Sequence, residues 1–177
     1  MRLPGDPSPA AQVARMIRVD HAGEYGAVRI YQGQRAVLGR GPAAPVLAHM
    51  QAQEDVHLAR FAALIAERKV RPTALLPLWH LAGFALGAAT AALGERAAMA
   101  CTVAVEDAIC THYAAQEAAL DPDEGALRET IASCRAEEAE HRAIGLDHGA
   151  QQAPGYRLLT AAIRTGCRAA IALSERI

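Results

Sequence analysis

Two copies of Glu-x-x-His, Glu54-Asp55-Val56-His57 and Glu138-Ala139-Glu140-His141, stand 84 residues apart in this chain. Each follows a lone glutamate: Glu24 lies 30 residues before the first copy and Glu106 lies 32 before the second. Four carboxylates and two imidazoles in a doubled pattern make the ligand set by which a four-helix bundle holds two transition-metal ions. One Glu comes from each of two helices and Glu-x-x-His from each of the other two. The i, i+3 spacing aims the Glu and His of one helix at a common point. Carboxylates and imidazoles without thiolates suit iron or manganese. Six protein ligands resemble neither a closed tetrahedral zinc site nor a common catalytic one. Four ionised carboxylates balance two divalent ions.

The elements that must position these residues are helices. Ala and Leu supply most of the apolar content, since hydrophobic residues make up 52% and aromatics only 4%; both are strong helix formers. Pro and Gly divide the chain into helical stretches at about 9–38, 45–69, 73–94, 95–120, 123–149 and 156 to the C-terminus. The metal-type residues fall on the first, second, fourth and fifth. The third is then a crossover joining two helix pairs, as a ferritin-like bundle requires. On the second stretch Leu47, Met50, Glu54, His57, Phe61 and Leu64 form one stripe. On the fifth the stripe is Leu127, Ile131, Cys134, Glu138, His141, Gly145 and His148. Glu106 shares a face with Val103, Cys110 and Tyr113, and Glu24 with Ile17, Ala27 and Tyr31. Burying a polar group on such a face without a partner costs roughly 2–7 kcal/mol, and an isolated charge more. A shared metal site removes that cost.

The expected class is all-α: a ferritin-like four-helix bundle with two additional apolar or amphipathic helices, in one domain over residues 1–177, with residues 1–8 flexible. Net charge is −1 and pI about 6.6, which argues against a nucleic-acid partner. Cys101, Cys110, Cys134 and Cys167 are scattered, with no Cys-x-x-Cys, and read as packed, reduced thiols of an intracellular chain. The N-terminal MRLPGDPSPAAQ reads as neither a signal peptide nor a transit sequence.

Further candidates surround the ligand set. Tyr113 lies on the metal-facing side and with His112 is a candidate electron or proton relay; the plain alternative is a core tyrosine bonded to a carboxylate. Asp20 and His148 are candidates to orient ligands, or are polar residues near helix ends. His21, His49 and His80 have no repeat partner and read as structural or solvated. The uncharged 73–94 stretch is long enough for a bilayer, but Pro77, His80 and its Ala/Gly content favour an in-plane helix. Its Gly83-x-x-x-Gly87 step permits close helix approach. Arg157, Arg164 and Arg168 line one side of the last helix, a pattern fitting a membrane-surface or partner-binding helix or an ordinary solvated face.

The stretches Ile17-Arg18-Val19-Asp20-His21-Ala22-Gly23-Glu24-Tyr25-Gly26-Ala27, Arg71-Pro72-Thr73, Leu78-Trp79, Gly83-Phe84-Ala85-Leu86-Gly87 and Cys101-Thr102-Val103-Ala104-Val105-Glu106 resemble the demethoxyubiquinone hydroxylases of coenzyme Q biosynthesis. So do Gly145-Leu146-Asp147-His148 and Leu173-Ser174-Glu175-Arg176, and the similarity covers almost everything from residue 15 onward. The resemblance implies a ferritin-like di-iron monooxygenase that hydroxylates the ring of a demethoxyubiquinol or demethoxyubiquinone, the penultimate step of ubiquinone biosynthesis. Its iron ligands fall on Glu24, Glu54, His57, Glu106, Glu138 and His141. The cofactors implied are two iron ions, cycling between Fe2+ and Fe3+, with O2 and a hydrophobic quinone or quinol as substrates. Also implied are peripheral membrane association and a lipid-binding coenzyme Q accessory protein. The location would be the cytoplasmic face of the cell membrane in a bacterium, or the matrix face of the mitochondrial inner membrane in a eukaryote. A homo-oligomer is compatible with the sequence. One position departs from the family pattern: Asp107 follows Glu106 where a second Glu is usual.

On this reading two ferrous ions, roughly 3.5–4 Å apart as in other two-metal sites, reduce O2 together while apolar walls hold the substrate. Electrons come from outside, because no Gly-x-Gly-x-x-Gly fingerprint is present. Two rival readings share the ligand set: an iron-oxidising storage protein, and a bundle whose metal only stabilises the fold.

Overall fold

Six α-helices form among the residues described by the computed structural model, 7–177: α1 (Pro9–Leu38), α2 (Ala44–Glu67), α3 (Leu76–Ala92), α4 (Glu95–Ala119), α5 (Gly125–Asp147) and α6 (Tyr156–Ser174). One turn of 3-10 helix, Ala150–Gln152, precedes α6. Most of the flexible stretch expected at 1–8 lies outside the described residues. Ser8 caps α1, its Oγ accepting a 3.1 Å hydrogen bond from the Ala11 amide.

The helix starts follow proline chemistry. Pro9, Pro45 and Pro77 each sit in a first turn, where the missing N–H costs nothing. Pro77 therefore opens α3 rather than breaking it, and α3 is 17 residues long, shorter than the uncharged stretch that contains it. Among the described residues no helix is long and apolar enough to cross a membrane.

Contacts set the helix directions. Gln116 on α4 reaches Asp20 on α1, and Gln34 at the other end of α1 reaches Ala98, so α1 and α4 are antiparallel. Gln53 meets His141 and Arg60 meets Cys134, so α2 and α5 are antiparallel too. Short loops make α1–α2 and α4–α5 antiparallel hairpins. The end of α2 must then return the full length of the bundle before α4 can begin, and α3 makes that return along the outside of α1. Gly83 faces the Gly26 carbonyl, and Gly87 sits where any Cβ would overlap the Ile30 carbonyl. The small-residue step thus lets two backbones touch, as its spacing predicts. Gly94, at φ 108°, turns α3 into α4 through a conformation that favours glycine.

Two apolar layers close the bundle at either end. Leu47, Met50, Met99 and Val103 fill one; Ile17, Phe61, Leu127 and Ile131 fill the other. The polar residues of the stripes lie between these layers.

Candidate metal centre

All four helices of the bundle contribute to one cluster at mid-height. Glu24, Glu54, His57, Glu106, Glu138 and His141 are each buried, with at most 1% of their surface exposed. Their donor atoms fall into two groups, Glu24/Glu54/His57/Glu138 and Glu54/Glu106/Glu138/His141, and within each group the atoms lie within 4.8 Å of one another. Glu54 and Glu138 belong to both groups and would serve both metal positions, while Glu24 and Glu106 each belong to one. His57 Nδ1 is 2.9 Å from Glu138 and 3.6 Å from Glu24; His141 Nδ1 is 3.0 Å from Glu54 and 3.2 Å from Glu138.

These approaches are close, yet few are aligned as hydrogen bonds. Both Nδ1 atoms, both oxygens of Glu54 and Glu138, and Oε2 of Glu24 and Glu106 are buried with no hydrogen-bond partner. Eight orphaned donors or acceptors aimed at two common points are what a pair of cations would satisfy. The donor set is therefore suited to two metal ions, with an oxygen-and-nitrogen character matching iron or manganese.

Electrostatics without metal express the same crowding. Burial raises the Glu24 and Glu106 carboxyls well above the usual range, and neighbouring carboxylates add to the effect. Burial would also raise Glu138, but the imidazoles of His141 and His57 outweigh it and hold that carboxyl down to about 2. Burial disfavours charge on His141, yet Glu138 and Glu54 raise it to about 9; His57 moves the same way for the same reason.

Around this cluster the two halves of the chain repeat each other. Tyr31 donates to Glu106 and Tyr113 donates to Glu24, each tyrosine bonding the lone glutamate of the opposite helix. The outer Nε2 of His57 meets Glu137 Oε2 at 3.1 Å, and that of His141 meets Gln53 Oε1 at 3.0 Å. These contacts leave each Nδ1 as the inward-facing nitrogen. Tyr31, Gln53 and Glu137 carry no role on the sequence reading, though the signal is present. Both tyrosines follow their lone Glu by seven residues, and Gln53 and Glu137 each precede a Glu-x-x-His copy.

The other candidates fall in different places. Asp20 is buried; its Oδ1 accepts from Gln116 Nε2 at 2.7 Å, and burial raises its carboxyl. His112 Nε2 lies 2.8 Å from the same Gln116 nitrogen and 3.4 Å from Asp20. His148 pairs with Glu95 at 3.2 Å, at the end of α5 and away from the six ligand candidates. His80 accepts or donates a 2.7 Å bond with Tyr25. The four cysteines are free, and burial pushes Cys101 up to about 12. Asp107 accepts from Arg142 and Arg164, tying α4 to α5 and α6.

Behind α1 and α4 lies an apolar cavity of about 590 Å³, flanked by α3 and α6. Gly23, Gly26 and Val105 line it, and two of these adjoin Glu24 and Glu106 in sequence. Gly23, Gly26 and Gly166 would each carry a Cβ into open space. Trp79 stands at one end, its indole N–H bonded to Ser174 at 3.1 Å.

A helical bundle with a buried double group of carboxylates and imidazoles defines the ferritin-like class of proteins. Within that class the chain belongs to the family described as ubiquinone biosynthesis protein COQ7, whose profile matches residues 11–174. It is 61% identical over 177 residues to the 3-demethoxyubiquinol 3-hydroxylase of Rhodospirillum rubrum, covering 99% of this chain and 84% of that one. The NADPH-dependent 3-demethoxyubiquinone 3-hydroxylase, mitochondrial, of Homo sapiens is 55% identical over 171 residues, 94% of this chain and 79% of that one. The 5-demethoxyubiquinone hydroxylase, mitochondrial, of Saccharomyces cerevisiae is 42% identical over 185 residues, with 95% and 79% covered.

Proposed function

We propose that this chain is a di-iron monooxygenase that hydroxylates the ring of a demethoxyubiquinol or demethoxyubiquinone in ubiquinone biosynthesis. The observation that carries the reading is a buried two-metal ligand set backed, across the walls of α1 and α4, by an apolar cavity sized for a small ring and the start of its tail. The reaction inserts one oxygen atom of O2 into a ring C–H bond and releases the other as water, consuming two electrons and two protons. Iron bound at the cluster supplies the reduction of O2.

The chain's own residues bind, orient and exclude. Glu54 and Glu138 hold both metal positions, His57 and His141 anchor one each, and Glu24 and Glu106 complete them. Tyr31 and Tyr113 hold Glu106 and Glu24 in place. The apolar layers at both ends keep bulk water from the cluster. Tyr113, bonded to Glu24, is our candidate electron or proton relay, with the adjoining half-buried His112, which reaches Asp20 and Gln116, as its companion. Reducing equivalents come from outside the fold; the human relative's name points to NADPH.

A greasy substrate requires access from a membrane. Leu81 is 70% and Leu158 79% exposed, and Leu78, Leu93, Leu173 and Ile177 are exposed as well, all on or beside α3 and α6. These residues share α3 and α6 with the cavity lining, so we assign this apolar surface to peripheral contact with the bilayer. The family resemblance adds a lipid-binding coenzyme Q accessory protein as a partner.

The test is anaerobic loading with ferrous iron, addition of a demethoxyquinol analogue, admission of O2 and mass spectrometry of the ring. A product heavier by one oxygen atom, lost in Glu54→Ala and Glu138→Ala, is expected. Iron oxidation without product while the site is kept cycling by reductant would instead indicate iron handling.

A further inference from the structure

The ligand candidates and the tyrosines that bond them match residue for residue between the two halves. Glu24 and Glu106, Tyr31 and Tyr113, Glu54 and Glu138, and His57 and His141 are identical pairs. The outer partners of the histidines differ: Glu137 on His57, Gln53 on His141. Both partners occupy the same position, directly before the Glu of the opposite Glu-x-x-His. One imidazole is therefore backed by a carboxylate and the other by a neutral amide. Glu137 is fixed as a carboxylate by Arg60 Nη1 at 3.4 Å and Ser133 Oγ at 3.3 Å, both donating to its Oε1.

We propose that Glu137 makes the two metal positions unequal, so that the position built on Glu24 and His57 binds its ion more tightly than the one built on Glu106 and His141. The inference rests on the metal reading of the cluster. A carboxylate accepting the Nε2 proton makes the imidazole a stronger donor through Nδ1, whereas an amide oxygen polarises it less. Other buried positions differ between the halves, such as Met50 beside Tyr31 and Cys134 beside Arg60, but neither of these bonds a ligand-type imidazole. Glu137 and Gln53 touch no metal position themselves; they are positioning residues that act through the ring they bond.

Anaerobic titration of the full chain with ferrous iron, followed by calorimetry, tests this with isosteric exchanges. The wild type is expected to show two resolved steps. Glu137→Gln weakens the tighter step about 10–100-fold and brings the two together, and Gln53→Glu tightens the weaker step. The double exchange Q53E/E137Q restores two separated steps, which loss of the Arg60 contact alone would not produce. Mössbauer spectra of chains given one equivalent of enriched iron should show one environment in the wild type and two in E137Q. Two equal sites in the wild type, or an E137Q variant that shifts both steps alike, would overturn the asymmetry while leaving the metal site standing. A wild type that binds no iron overturns the metal reading and this inference with it.

Discussion

Tyr31 on α1 donates a 2.9 Å hydrogen bond to Glu106 Oε1 on α4, crossing the bundle to hold a glutamate from the other half of the chain. Both residues are buried, so the bond has no water to replace it. Tyr31→Phe keeps the ring and removes the donor. It should cost about 1–3 kcal/mol, the penalty for leaving a buried acceptor unsatisfied. Chemical denaturation of the metal-free chain measures this directly; an unchanged midpoint would show the bond to be energetically idle.

The pH dependence of the metal-free protein has a definite sign. His141, raised from 6.5 to about 9, contributes stability that is complete below pH 6.5 and lost as pH climbs through 9. His57 acts in the same direction. Glu24 and Glu106 are also raised, so their contribution is complete below 4.5 and falls away above it. Glu138, lowered from 4.5 to about 2, works the other way, losing its contribution as pH falls through that interval. The melting temperature of metal-free protein should therefore drop between pH 6.5 and 9.

Metal loading should abolish that drop. Metal ligands must shed their protons, so binding releases protons and tightens as pH rises. Melting curves recorded with and without iron, and again after chelation, compare the two directly. A parallel fall in both forms across pH 6.5–9 would place the titrating groups outside the cluster.

Two glycines of α1 and α3 should respond in opposite ways. Gly87→Ala drives a Cβ into the Ile30 carbonyl, a backbone atom with no room to yield, and should cost about 1–3 kcal/mol or more. Gly26→Ala meets nothing within 4 Å and should leave stability equal or raise it by roughly 0.5–1 kcal/mol. Because Gly26 lines the cavity, the same change should weaken binding of a quinone analogue. Thermal melts and a binding titration separate the two effects.

The exposed leucines make a further prediction. Leu81→Glu with Leu158→Glu should reduce co-sedimentation with anionic vesicles several-fold, without lowering the melting temperature, since neither side chain is packed in the core. Undiminished vesicle binding would remove this surface from the membrane-contact proposal.

Much of this architecture was legible because charged residues inside apolar stripes leave few placements. Glu54 and His57 interrupt a face running from Leu47 to Phe61, and only a shared centre makes that tolerable. Helix ends were legible where Pro and Gly act locally, as at Pro9 and Gly94. Pro77 illustrates the limit: the residue that ends a helix in its interior also begins one at its first turn, and only packing decides which. The cross-bundle bonds were harder to read. Tyr31 was visible as a neighbour of Glu24, but its partner is 75 residues away on another helix. Gln53 and Glu137 lie off the inner stripes, so periodicity gave them no prominence. His148 continues the α5 stripe by spacing, yet α5 ends before it and its ring turns to Glu95.

The return path of α3 along α1 does more than close a topological gap. It binds two helix hairpins, each carrying half of the ligands, into a single molecule. Two separate hairpins would have to find each other, and their shared site would dissolve on dilution. Tethered hairpins meet at a fixed local concentration, of millimolar order for a short link, so the centre assembles in a one-to-one ratio at any cellular abundance. The tether also frees the halves from being identical. A centre made from two copies of one hairpin could never place glutamate on one histidine and glutamine on the other.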